Sequence, residues 1–225
     1  ATFTPSGDGA TTIDVGASFT DAVGNTNTAA SQFNWEYDGT GPTMTITADE
    51  VSDGGTSNDA TLSITFTSSE TTTNFVAEDV SVSGGTLSSF SGSGTTYTAT
   101  FTPSGDGATT IDVGASFTDA VGNTNTAASQ FNWVYDGTAP TMTIASTTNG
   151  VSDGSKTNDA TIALTFTSSE ATTNFVAGDV SVSGGTLSSF SGSGTDYTAT
   201  FTPSGDGATT IDVGASFTDA VGNTN

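Results

Sequence analysis

The stretch YTATFTPSGDGATTIDVGASFTDAVGN, Tyr97–Asn123, alternates apolar and polar residues on both sides of a Gly-rich interruption. Tyr97, Ala99 and Phe101 fall between threonines, and Ile111, Val113, Ala115 and Phe117 alternate with Thr110, Asp112, Gly114 and Ser116. Extended backbone sends successive side chains to opposite faces, so a period of two predicts a pair of half-buried β-strands. The intervening PSGDG is turn chemistry, with Gly free to take positive φ and Asp able to bond its own backbone. Outward from this stretch the pattern continues. Leu62, Ile64 and Phe66 oppose Thr61, Ser63, Thr65 and Thr67, while Phe131, Trp133 and Tyr135 alternate with Gln130, Asn132 and Val134. Helical spacing is absent over any useful length.

Most of the stretch belongs to a longer repeat. ATFTPSGDGATTIDVGASFTDAVGNTN begins at Ala1, Ala99 and Ala199, intervals of 98 and 100 residues, which is the size of one small domain. The two additional residues lie between Ile144 and Val151, where ASTTNG replaces the TADE found between Ile46 and Val51. Insertions of this kind are tolerated in surface loops, and a loop is predicted there.

The charge balance narrows the function classes. Among 225 residues there are 24 Asp or Glu, no His, no Cys and one basic side chain, Lys156, giving a formal net charge of −23. Such a chain repels phosphate backbones and anionic lipid heads, so neither nucleic acid nor direct membrane insertion is expected, and small cations are its natural ligands. Disulfides are impossible, and zinc and copper lack their usual His and Cys ligands. Nucleophilic catalysis lacks a base, Lys156 lying on a loop present once. Glycosidase carboxylates need an apolar cleft, whereas these lie in open turns, so no enzyme is expected. No run of about 18 apolar residues and no basic-plus-apolar leader occurs in this segment.

Counted from the proline of DGTAPTMTI, one repeat yields seven strands, near 141–146, 160–167, 175–183, 186–191, 195–202, 208–216 and the ASQFNWVYD type. Seven short antiparallel strands predict an all-β fold of tandem Greek-key β-sandwiches arranged head to tail. The succession APTMTI, NDATIALTFTSSE, NFVAGDVSVSGGTLSSFSGSG and YTATFTPSGDGATTIDVGASFTDAVGNTNTAASQFNWVYD resembles the bacterial Ig-like repeats of large secreted surface proteins and adhesins. The resemblance covers the whole chain: 1–37 as the last three strands of one repeat, 38–135 as a complete repeat, and 136–225 as a repeat lacking its final strand. It implies an immunoglobulin-like sandwich, an adhesive or stalk role at the cell surface or outside it, and Ca²⁺ between repeats.

Strand alternation sorts the acidic loops between the two poles of each sandwich, and head-to-tail order brings unlike poles together. The second junction then gathers Asp136 of the linker, Asp106 of SGDG, Asp53, Asn58 and Asp59 of the first loop, and Asp219 with Asn223 of the incoming FTDAVGN. The first junction gathers Asp8, Asp38, Asp119 and Asn123, and Asp153 and Asp159 hold the first-loop positions of the last repeat. Several hard oxygens converging with Gly-rich carbonyls suit Ca²⁺. Asp and Asn are equally at home in turns for local hydrogen bonding alone, and that reading stands beside the first. Glu70 and Glu170, at the end of the second strand, could join a site within the repeat or cap a turn, the turn being the favoured reading, and Asp112 is read as solvated on a polar strand face.

Trp35 and Trp133 share the phase of their aromatic neighbours and are expected in cores, although exposed tryptophans would serve a carbohydrate-binding module. The expectation is a non-catalytic stalk or fibre segment, stiffened by Ca²⁺, for adhesion or surface and matrix assembly. Its partners are neighbouring repeats, in the same chain or head to tail in a fibre. The ends in mid-repeat are read as a window on a longer array, with strand donation by Thr28–Asp38 to a neighbouring chain as the alternative.

Overall fold

The computed structural model describes all 225 residues, and the architecture is all-β throughout. At the start, β1 (Gly9–Ile13) and β2 (Phe33–Tyr37) pair antiparallel, with Gly9 opposite Tyr37 and Ile13 opposite Phe33. A two-stranded ribbon has no second layer to cover it. Phe3, Phe19 and Phe33 accordingly remain exposed, and the half-buried Trp35 makes its aromatic contacts with Phe3 and Phe33.

Residues 38–135 carry seven strands: β3 (Met44–Ala48), β4 (Thr56–Ser57), β5 (Leu62–Thr72), β6 (Val80–Ser83), β7 (Gly85–Pro103), β8 (Gly107–Val113) and β9 (Phe131–Tyr135). They form two sheets, ordered β3-β5-β7 and β4-β9-β8-β6. The long β7 folds back on itself, since Ser104 N–H reaches the Gly84 carbonyl and the Ser91 and Thr98 hydroxyls meet at 3.3 Å. The second arm, Gly94–Phe101, therefore pairs with β5 while the first arm lies on that arm's other side, and the chain crosses between sheets before and after β6. This is the Greek-key sandwich of an immunoglobulin-type fold. The inner faces supply the core: Leu62, Phe66, Phe101, Ile111 and Phe117 are fully buried, and Trp133 lies edge-on to Phe101 with centroids 4.7 Å apart.

Residues 136–225 repeat the plan with β10 (Met142–Ser146), β11 (Ile162–Thr172), β12 (Val180–Ser183), β13 (Gly185–Pro203) and β14 (Thr210–Val213), ordered β10-β11-β13 and β12-β14. In this chain β14 has no strand on its outer side. It begins three residues later than β8 does, and the core cluster shrinks from 15 buried residues to 8. Ile211 and Val213 are only half-buried where Ile111 and Val113 are buried, because nothing covers them as Phe131 and Trp133 cover their counterparts.

The strands differ from their expected bounds in five places: the strand expected at 160–167 continues to Thr172 as β11, and the other four differences each have a local reason. The span 175–183 splits into a 3-10 turn, Ala177–Asp179, and a short strand, because the Asp179 carboxylate accepts the Val176 N–H at 2.8 Å and closes the turn. The spans 186–191 and 195–202 run as one element, with Ser189 at φ 51° turning both Leu187 and Phe190 toward the core despite their spacing of three. The span 208–216 stops at Val213, and Phe217 reaches the core from a loop. Within the first loop, Thr56–Ser57 forms a parallel pair with Val134–Tyr135. The two-residue insertion does fall at a strand end, just after Ser146.

Candidate metal centre

The FTDAVGN loop is built around its aspartate. Asp119 Oδ1 accepts the N–H groups of Val121, Gly122 and Asn123 at 2.9, 2.7 and 2.9 Å, and Oδ2 accepts the Asn123 side-chain amide at 2.8 Å. Gly122 takes φ 101°, which closes the tip at no steric cost to a side chain. Below it, Asn125 Oδ1 accepts the N–H groups of Ser116 and Phe117 while its amide donates to the Gly114 and Thr126 carbonyls. Asp219, with Asn223 and Asn225, repeats this arrangement nearly bond for bond.

Two further carboxylates converge on each loop. β5 bridges to it at Thr72 and Asp119, which brings Glu70 alongside, and the linker supplies Asp38. One oxygen each from Asp38, Glu70 and Asp119 lie within 4.8 Å of one another, and Asp136, Glu170 and Asp219 form the same triad. Two ligands on opposite sides of a Ca²⁺ at 2.3–2.6 Å stand about 4.6–5.2 Å apart, so each triad fits within one coordination sphere. An all-oxygen set excludes softer metals on ligand chemistry.

The electrostatics agree with that geometry. Burial pushes the Glu70 carboxyl above its ordinary value, and repulsion from Asp38, Asp119 and Asp8 adds to it; Glu170 is raised by burial and by Asp136, Asp219 and Asp106. Asp119 and Asp219 go the other way. Burial alone would raise them, but the Asn side chain and the three loop N–H groups outweigh it and hold both carboxyls low. Each triad therefore gathers negative charge with no basic side chain to offset it.

The structure places the other candidate residues around the triads or away from them. Asp8 and Asp106 grip the linkers, each accepting a glycine N–H at 2.7 Å, from Gly39 and Gly137, and a hydroxyl, from Thr40 and Thr138. Asn123 and Asn223 donate to the Asp38 and Asp136 carbonyls at 3.2 and 2.9 Å. Asn58 crosses the second junction to Asn223. Asp53 instead accepts the Asn132 N–H at 2.8 Å, Asp59 accepts the Ser57 hydroxyl at 2.6 Å, Asp159 accepts the Thr157 hydroxyl, and Asp153 lies outside both triads. Glu70 and Glu170, for which the turn cap is the favoured of two readings of the sequence, lie in strands with their carboxylates in the triads, as the alternative of a site within the repeat has it. A signal for this existed: Leu62, Ile64, Phe66, Ser68, Glu70 and Thr72 keep one inward phase to the end of β5.

Gln130 holds Asp112 through two contacts of 2.9 Å, so that aspartate is partnered. Trp133 is 1% exposed, and no exposed aromatic platform exists in residues 38–135. A family model described as a bacterial Ig-like domain matches residues 38–135 and again 136–225. The chain belongs to this family. Its bacterial Ig-like repeats thus account for the sheet order and for the recurrence of the triads at equivalent positions. No curated protein is similar enough to count as a match. No helix is long and apolar enough to cross a membrane.

Proposed function

We propose that the chain is a non-catalytic structural segment of an extracellular bacterial surface protein, in which 38–135 and 136–225 are successive repeats and 1–37 is the end of another. Ca²⁺ bridges Asp38, Glu70 and Asp119 at one linker and Asp136, Glu170 and Asp219 at the next. The array serves as a stalk or fibre in adhesion or in surface and matrix assembly. The observation that carries this reading is the recurrence of one three-carboxylate cluster at both linkers, where a bound cation would relieve repulsion and tie linker to repeat. A carbohydrate-binding role would need exposed aromatic side chains on the repeat, and in residues 38–135 Trp133 is buried and no aromatic side chain is exposed.

Calorimetric titration with Ca²⁺ tests the reading, with two equivalent sites expected. With an extracellular-type affinity of about 10⁻⁴ M, about 10 mM Ca²⁺ adds roughly 2.7 kcal/mol of stability per site by mass action. Melting curves in Ca²⁺ and in chelator that coincide at matched ionic strength would sink it, as would an unaltered Ca²⁺ response in Glu70→Gln, Glu170→Gln protein.

A further inference from the structure

We infer that Asn149 and Gly150 form a self-modifying site, at which Asn149 deamidates through a cyclic imide without an enzyme. This inference goes beyond the calcium reading and does not depend on it. Hydrogen bonds show which two residues the longer first loop adds. In residues 38–135 the Asp49 N–H donates to the Ser63 carbonyl, and the Ser63 N–H donates to the Glu50 carboxylate at 2.8 Å. In residues 136–225 the Thr147 N–H donates to the Ala163 carbonyl, and the Ala163 N–H donates to the Thr148 hydroxyl at 2.8 Å. Thr147 and Thr148 therefore stand where Asp49 and Glu50 stand, and Val151 matches Val51. The residues left over are Asn149 and Gly150.

The residues on either side of this pair are anchored, and the pair is not. Thr148 donates its N–H to the Ser146 hydroxyl at 3.1 Å, and its carbonyl accepts the Val151 N–H at 3.1 Å. Asn149 and Gly150 make the exposed tip of that turn, with Gly150 at φ 79°, the value a type II turn asks of its third residue. Neither the Asn149 side chain nor the Gly150 N–H has a hydrogen-bond partner, and glycine sets no side chain over its nitrogen. That nitrogen, giving its proton to hydroxide, attacks Asn149 Cγ: a C–N bond forms, the Cγ–Nδ2 bond breaks, and Nδ2 leaves as ammonia on taking a proton from water. Water then opens the five-membered imide. Addition at Cγ yields aspartate, and addition at the main-chain carbonyl yields isoaspartate, with the backbone routed through Cβ. Either product puts a carboxylate into the loop where residues 38–135 already carry Asp49 and Glu50. No other asparagine precedes glycine, and Asn123, Asn125, Asn223 and Asn225 hold their amides in the loop bonds described above. The Asp-Gly pairs close the same ring only by losing water and regain it on opening, so their mass does not change.

The test holds the full, folded chain in warm, mildly alkaline buffer and follows its mass, with fragmentation of its peptides to place any change. The parent should gain the difference between water and ammonia once, at Asn149, before any other asparagine reacts. The gain should come faster as pH rises, because the Gly150 amide must lose its proton, and a methyltransferase specific for isoaspartate should label the same peptide. Asn149→Gln enlarges the ring that must close. Deleting Asn149 and Gly150 gives this loop the length it has in residues 38–135. Both variants should keep the fold by circular dichroism and show no gain in that peptide over the time in which the parent converts completely. A parent in which Asn149 keeps its mass, or reacts no sooner than the other asparagines, overturns the inference. So does an Asn149→Gln protein that gains mass in that peptide at the parent's rate.

Discussion

Asn58 and Asn223 join their side chains across the second junction, the Asn58 amide donating to the Asn223 oxygen at 3.1 Å over a separation of 165 residues. The same Asn223 donates its amide to the Asp136 carbonyl and to Asp219. One residue at a loop tip therefore reads the preceding repeat, the linker and its own loop together.

This contact should have a measurable coupling. Asn58→Ala and Asn223→Ala, combined in a double-mutant cycle on thermal unfolding of the full chain, should give an interaction of about 0.5–1.5 kcal/mol, the net value of a typical hydrogen bond. Additive effects would mean that the junction does not depend on it.

The pH dependence should have two limbs of opposite origin. Glu70 and Glu170 have folded values raised above 4.5, so the folded state holds their protons more tightly than the unfolded one does. Their penalty is absent below about 4.5 and grows as pH rises through the raised values. Asp8, Asp21, Asp106, Asp119 and Asp219 have values lowered from 3.8, and the stability they contribute is lost as pH falls below that point. In chelator, a melting series should therefore peak in mildly acidic buffer and decline toward neutrality. Glu70→Gln, Glu170→Gln protein should flatten the upper limb and leave the acid limb in place.

Trp133→Ala should cost about 3–5 kcal/mol, the usual range for emptying a buried aromatic site, and should unfold residues 38–135 first. Trp35, half-buried and in aromatic contact with Phe3 and Phe33, should tolerate the same change with a much smaller shift. Chemical denaturation followed by circular dichroism, which reads the sheets of residues 38–135 in both variants, separates the two.

Ser89 and Ser189 hold φ of 54° and 51° without being glycine. A left-handed residue with a Cβ costs roughly 1–2 kcal/mol, partly offset by the freedom glycine loses on folding. Ser89→Gly should raise the stability of residues 38–135 by about 0.5–1 kcal/mol, read as a higher urea midpoint at constant slope. An unchanged or lower midpoint would show that the bend relies on the serine itself.

The period-two alternation was sufficient for the sheets, because burial on one face dictates it directly, and the near-identical copies made the repeat plain. Phase alone did not show where alternation breaks. Leu87 and Phe90 both turn inward because Ser89 leaves the extended region, and no side-chain pattern marks a serine for that role. In the site, Asp119 and Asp219 were legible from an aspartate followed by Gly and Asn in a loop. The contact of Asp53 with Asn132 was not legible, because its loop pairs only when β9 lies beside it, and that pairing joins residues 79 apart. Glu70 stood in the inward phase of β5 all along, but an acidic residue in that phase reads as a strand end until its neighbours are known.

The linkers are held from both sides: Asp8 grips Gly39 and Thr40 from behind while Asn123 takes the Asp38 carbonyl from ahead, and Asp106 and Asn223 do the same around Asp136. A freely jointed string of domains grows in end-to-end distance only as the square root of its length, because each coil linker forgets the direction of the last. Joints gripped in this way pass direction on. The reach of such a string then grows in proportion to the number of repeats, and adding one repeat extends it by close to the length of that repeat.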